Sequence, residues 1–251
     1  MNSRHTAWLL AGATATGKTA AAQLLAERLG CAVLSADAML VYRGMDVGTA
    51  KPSPAERVRV RYFGIDLAAP DEPFSAGLWL ADAARALDGA AGAPPESPAL
   101  IVAGGTGLYL KALAEGLDGA AADPAARARW QALFEREGLP GLRRALAERD
   151  SSALAALADP SNPRRLIRAL EHLDARGRLP DRWARAAPRP ALAVLRLPRE
   201  QLHARIARRV GAMFRSGLIE EARALRQACP AWSDTAAGAI GYAEALAVLD
   251  G

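Results

Sequence analysis

Gly12-Ala13-Thr14-Ala15-Thr16-Gly17-Lys18-Thr19 carries the spacing GxxxxGK[ST]. Glycines at both ends let the backbone turn so that its N–H groups converge, and a helix starting there adds the positive end of its dipole. Lys18 can reach an outer phosphate, and the Thr19 hydroxyl can ligate Mg²⁺. These eight residues are a candidate cradle for a diphosphate or a nucleotide. The alternative, a turn with an incidental lysine, leaves the apolar segment before it and the helix-like segment after it unexplained.

The second candidate group is an acid. P-loop ATPases end an apolar strand in Asp to hold Mg²⁺. Here the apolar run Leu100-Ile101-Val102-Ala103 ends in Gly104-Gly105-Thr106. Asp37 instead ends the strand that follows the P-loop helix, at the carboxyl edge where such folds bind ligands. A carboxylate there can take a proton from an acceptor facing the phosphates. It can also merely cap a turn. The first reading favours transfer to an acceptor over hydrolysis.

Charge points the same way without deciding it. The formal net charge of the 251 residues is +5, compatible with a polyanionic partner. Of 32 basic residues only Lys18, Lys51 and Lys111 are lysines. They mark places where a compact ammonium does what a planar guanidinium cannot, unless the pattern is chance. Cys31, Cys229 and the scattered His5, His172 and His203 have no metal-ligand spacing. No run of 18 apolar residues or signal peptide appears, so we expect a cytoplasmic protein.

The elements that must position these groups alternate at first. Strands are expected at 7–11, 31–35, 62–67 and 99–103, with a helix at 18–29 stopped by Gly30 and alanine-rich helices between the later strands. From 123 only helices are expected: 124–137, 139–148, 151–157 and 163–176. Asp123-Pro124 and Asn162-Pro163 are start signals. A link at 177–190, a strand at 191–197 and two closing basic helices at 199–215 and 218–228 complete the pattern. It implies an α/β fold, a P-loop NTPase-like doubly wound, mainly parallel sheet, with an inserted all-helical subdomain. The core is expected at 1–122 and 179–251 and the insertion at 123–178.

Longer motifs narrow the reading. The run from Ser35 to Pro52, SADAMLVYRGMDVGTAKP, resembles the signature after the P-loop in tRNA dimethylallyltransferases. Residues 104–113, 162–171, 217–221 and 239–244 are similar to four further motifs of that family, in the same order. All three lysines fall inside these motifs or the P-loop. The resemblance implies transfer of a dimethylallyl group from its diphosphate to N6 of adenosine 37 in tRNAs reading codons that begin with U.

On this resemblance residues 12–19 hold the diphosphate, Thr19 the Mg²⁺, and Asp37 accepts the N6 proton. Thr106 stands near the reacting centre, and Arg205 and Arg209 neutralise the leaving group. The tRNA anticodon stem-loop would meet Asp37, Ala38, Met39, Leu40, Thr106, Arg127 and residues Arg164, Arg165, Leu166, Ile167 and Arg168. A monomer is expected. The family continues with another basic helix after residues 241–244, absent here, which lowers the expected tRNA affinity. Ala13, Ala38 and Ala243 also depart from common family residues. Two other readings stay open: a small-molecule P-loop kinase with ATP in the loop, and a catalytically impaired tRNA-binding relative.

Overall fold

The computed structural model describes residues 7–89, 98–117, 123–179 and 191–250. Its contacts divide the chain into two units, Met1–Ala114 with Ala187–Gly251, and Glu115–Ala186. The expected insertion, 123–178, lies inside the second.

The first unit begins with β1 (Ala7–Gly12), α1 (Lys18–Leu29), β2 (Ala32–Ser35), α2 (Pro54–Arg59), β3 (Tyr62–Phe63), α3 (Ala76–Gly89), β4 (Leu100–Gly104) and α4 (Gly107–Glu115). The five strands of its sheet, with β5 (Leu192–Leu195) the last, run parallel in the order β3-β2-β4-β1-β5. β4 lies between β1 and β2 and every one of its residues is buried, which explains its unbroken apolar run. Strand alternation sends Leu9, Leu34, Leu100 and Val102 into one core, with Trp79 and Tyr109. Leu10, Val33, Ile101 and Ala103 enter another, where Ala22 and Ala26 of α1 pack. Both faces of the sheet are therefore covered, as a doubly wound fold requires.

The second unit holds α5 (Pro124–Arg149), α6 (Ser151–Ala156) and α7 (Pro163–Arg176). Asp123, Asp150 and Asn162 cap their starts through side-chain oxygens. Its core packs Trp130, Leu142, Leu146, Leu166, Ile167 and Leu170. The expected break at 138 is a non-helical Gly138 (φ 63°, ψ −160°) inside α5. Trp130 donates to Asp174 (2.7 Å), which also pairs with Arg129 and Arg149.

The first unit resumes with β5, α8 (Arg199–Arg215), α9 (Leu218–Ala228), α10 (Asp234–Ala237) and α11 (Tyr242–Asp250). Three expectations need correcting. The strand expected at 62–67 stops at Phe63, because the chain turns away at Gly64 (φ 72°); Asp66 beyond it is also left-handed (φ 56°) and is held by Lys51 and Arg57. The chain does not close with α9, since α10 and α11 follow. α2 was not anticipated, although Ser53 and Glu56 form a capping box before it. Of the link at 177–190, residues 180–190 lie outside the described residues.

Candidate active site

The phosphate loop leaves β1 at Gly12 and enters α1 at Lys18, with Gly17 as N-cap (φ 99°). The Thr16 hydroxyl donates to the Ala13 carbonyl at 2.8 Å, and the Lys18 ammonium donates to the same oxygen at 2.7 Å. One carbonyl thus fixes the loop's fold and aims its lysine.

Two strand ends form the next wall. Beyond β2, Ala36 donates to the Ala103 carbonyl (2.8 Å) and Thr106 N–H to the Ala36 carbonyl (3.1 Å). The Thr106 hydroxyl accepts from the Ala38 N–H at 3.0 Å. Asp37 accepts from the Met39 N–H at 2.9 Å and its residue lines the cavity. It therefore caps a turn and faces the phosphate loop; the two readings of this residue are compatible. At Gly104, the last residue of β4, the absence of a side chain has a steric cause. A Cβ on Gly104 would stand 2.0 Å from the Ala36 carbonyl oxygen, so no side chain fits there.

The third wall comes from residues 49–50 and α8. Arg209 donates to the Thr49 carbonyl at 2.9 Å. A guanidinium nitrogen of Arg205 lies 3.8 Å from where a Cβ on Gly17 would be, which puts it over the phosphate loop. Together these residues enclose a cavity of about 350 Å³, lined also by Thr14, Ala15, Thr19, Ser35 and Leu40.

The electrostatics favour an anion. Three cations, Lys18, Arg205 and Arg209, face one carboxylate, Asp37, which leaves +2 (three minus one). Burial pushes the Lys18 ammonium below the ordinary lysine value, Asp37 works against it, and Arg209 adds to the depression. Burial likewise lowers Arg209, again opposed by Asp37. Asp37 offsets the burial of both cations only in part, so the cavity favours a further negative charge.

Of the predicted residues, 14–15, 17–19, Asp37, Leu40, Arg205 and Arg209 line one cavity; Gly12, Ala13, Thr16, Ala38, Met39 and Thr106 do not, although Thr106 bonds to Ala38 beside Asp37. Ser35, Thr49, Ala50 and Gly104 also line it but were not singled out. Their signal was present in the run SADAMLVYRGMDVGTAKP, which brings Ser35, Thr49 and Ala50 to the site along with Asp37.

Lys51 has a different task from Lys18. Its buried ammonium meets the Tyr42 carbonyl (2.7 Å), Asp66 (2.7 Å) and Asp46 (2.6 Å).

In the second unit, Arg127 (3.5 Å) and Arg168 (2.9 Å) pair with the buried Glu171. Arg164 and Arg165 are exposed on the first turn of α7, where their N–H groups donate to the Asn162 side chain. Leu166 and Ile167, expected among the RNA-facing residues, instead bury their side chains in the unit's core. Apolar side chains at these two helix positions are more stable inside the core than facing water.

A parallel sheet with a phosphate loop after β1, an acid just beyond β2 and cations over the loop defines a P-loop α/β protein. The family model for IPP transferase matches residues 40–251. A tRNA dimethylallyltransferase of Anaeromyxobacter dehalogenans is 45% identical over 256 residues, covering 97% of this chain and 82% of that protein. The full-length tRNA isopentenylpyrophosphate transferase of Bacillus halodurans is similar in structure, with a TM-score of 0.59 and 34% identity, covering 98% of this chain and 78% of that one. The tRNA delta(2)-isopentenylpyrophosphate transferase of Staphylococcus epidermidis gives a TM-score of 0.60 and 28% identity, over 97% and 80%. The chain belongs to the IPP transferase family.

Proposed function

We propose that the protein transfers a dimethylallyl group from dimethylallyl diphosphate to N6 of adenosine 37 in tRNAs that read codons beginning with U. The observation that carries this reading is the position of Asp37, a carboxylate lining the cavity that holds the phosphate loop and the two α8 arginines. N6 attacks C1 of the dimethylallyl group, the C1–O bond breaks, and the diphosphate leaves with the electron pair. The N6 proton passes to the Asp37 carboxylate. Loop N–H groups, Lys18, Arg205 and Arg209 stabilise the charge that develops on the diphosphate. The Thr106 hydroxyl holds the Ala38 N–H and so fixes the turn that carries Asp37.

Mg²⁺ fits the oxygen donors here. Thr19 and Asp37 line the same cavity, and Mg²⁺ prefers few protein ligands together with substrate phosphates and water. When bound, it would neutralise diphosphate charge, with Thr19 as its protein ligand. The target base must leave its stack to reach such a cavity. Arg127, Arg164, Arg165 and Arg168 are proposed to hold the RNA backbone, which positions without reading sequence. Action in the cytoplasm and a monomeric state complete the proposal; among the described residues no helix is long and apolar enough to cross a membrane.

The test separates chemistry from binding. Asp37→Ala should lower single-turnover prenylation by roughly 10²–10⁴-fold, the range for a lost general base. Its affinity for tRNA, measured by filter binding, should stay within about two-fold of wild type, as expected for a residue used in the transition state. Loss of binding with unchanged turnover of bound tRNA would make Asp37 an anchor and sink the assignment.

A further inference from the structure

Residues 217–221 and 239–244 carry family-like motifs, yet none of them lines the cavity. Their side chains show where they act. The Glu221 carboxylate, on α9, accepts from three consecutive backbone N–H groups: Asp46 (3.1 Å), Val47 (2.9 Å) and Gly48 (3.4 Å). The Tyr242 hydroxyl, at the start of α11, donates to Glu221 and accepts from the Gly48 N–H at 3.2 Å. A carboxylate receiving that many donors is a strong, charge-assisted anchor. A Cβ on Gly48 would stand 2.4 Å from the Tyr242 ring, so the segment lies tight against it.

The anchored segment leads directly into the site. Thr49 follows Gly48, and its carbonyl accepts from Arg209 at 2.9 Å. Its hydroxyl donates back to the Met45 carbonyl at 2.6 Å, so the turn is closed on itself. Thr49, Ala50 and Arg209 all line the cavity. The sequence of contacts is continuous: Glu221 and Tyr242 hold residues 46–48, these fix the Thr49 carbonyl, and that carbonyl holds the Arg209 guanidinium beside the phosphate loop.

We infer that Glu221 is a positioning residue, which orients Arg209 toward the diphosphate through the 46–49 turn without touching substrate. The inference rests on the proposed function, because it takes the diphosphate as the ligand of Arg209. A merely structural Glu221 would affect stability and every ligand alike. A positioning Glu221 acts on the donor and acts only while Arg209 is present.

The experiment is a double-mutant cycle on the full chain, with dimethylallyl diphosphate binding read by titration calorimetry in Mg²⁺ buffer. Glu221→Gln keeps the shape but offers donors where the backbone already donates. It should weaken donor binding by about ten-fold, a loss on the scale of charge-assisted hydrogen bonds. Arg209→Met should do the same. The double variant should bind within about two-fold of the weaker single variant, because the two residues act along one path. tRNA affinity should be unchanged in Glu221→Gln. Tyr242→Phe, a milder change, should weaken donor binding by about three-fold and carries the test if Glu221→Gln does not fold. Donor binding by the two single variants that multiplies in the double, wild-type binding by Glu221→Gln, or an equal loss of tRNA affinity overturns the inference. Wild type that fails to bind the donor overturns the functional reading, and this inference with it.

Discussion

Lys18 and Lys51 use the same ammonium for opposite purposes. Lys51 is buried and saturated, with a carbonyl and two carboxylates around one nitrogen. Three rotatable donors on a point charge suit that geometry, where a planar fork would not. Lys18 is bonded to one carbonyl and kept beside a cavity with excess positive charge. The scarcity of lysine in the sequence pointed to both positions but could not tell them apart, because burial and partners decide the difference. Asp37 was equally legible as a candidate, and so was its turn-capping alternative, which takes the form of a bond from the Met39 N–H. The pH dependence follows from the pair. Burial holds Lys18 below the ordinary lysine value of about 10.4, and Asp37 opposes that shift. Donor affinity should fall with rising pH as the ammonium is lost, beginning below the range of an unperturbed lysine. Asp37→Asn removes the charge that supports the ammonium, so the fall should move to lower pH. A calorimetric pH series showing no movement, or movement to higher pH, would contradict the coupling.

Elements with local caps and clear periodicity were legible in the sequence. α1, α7, α8 and α9 begin and end where glycine, asparagine–proline and apolar spacing place them. The length of β3 was not legible: the chain leaves the sheet at Gly64 (φ 72°), and Asp66 beyond it is held by Lys51 and Arg57. α10 and α11, short and weakly periodic, were not legible either. The end of β4 shows how packing sets chemistry. Gly104 lets the Ala36 carbonyl approach, which lets Thr106 donate to that carbonyl and hold the Ala38 N–H. Gly104→Ala drives a methyl into backbone. It should cost on the order of 3 kcal/mol and lower Tm by roughly 6–12 °C in calorimetry, with donor turnover reduced as well. An unchanged melting curve would mean the strand ends are looser than described.

For the whole molecule, the α/β core and the helical insertion were legible because they change the hydrophobic period, from buried strands to helices alone. The site was half legible. Its phosphate loop and acid are compact motifs, whereas the 46–50 turn and its anchors on α9 and α11 lie more than 150 residues apart in the chain and meet only on folding. The phosphate loop, Asp37 and the two α8 arginines meet around one cavity, which the proposed function reads as an anion cradle facing an acceptor. The most direct measurement is mass spectrometry of the nucleosides from tRNA incubated with the purified protein, dimethylallyl diphosphate and Mg²⁺. The expected result is N6-isopentenyladenosine at position 37, formed without ATP. Unmodified tRNA in the presence of donor, or consumption of ATP in place of the prenyl diphosphate, would contradict it.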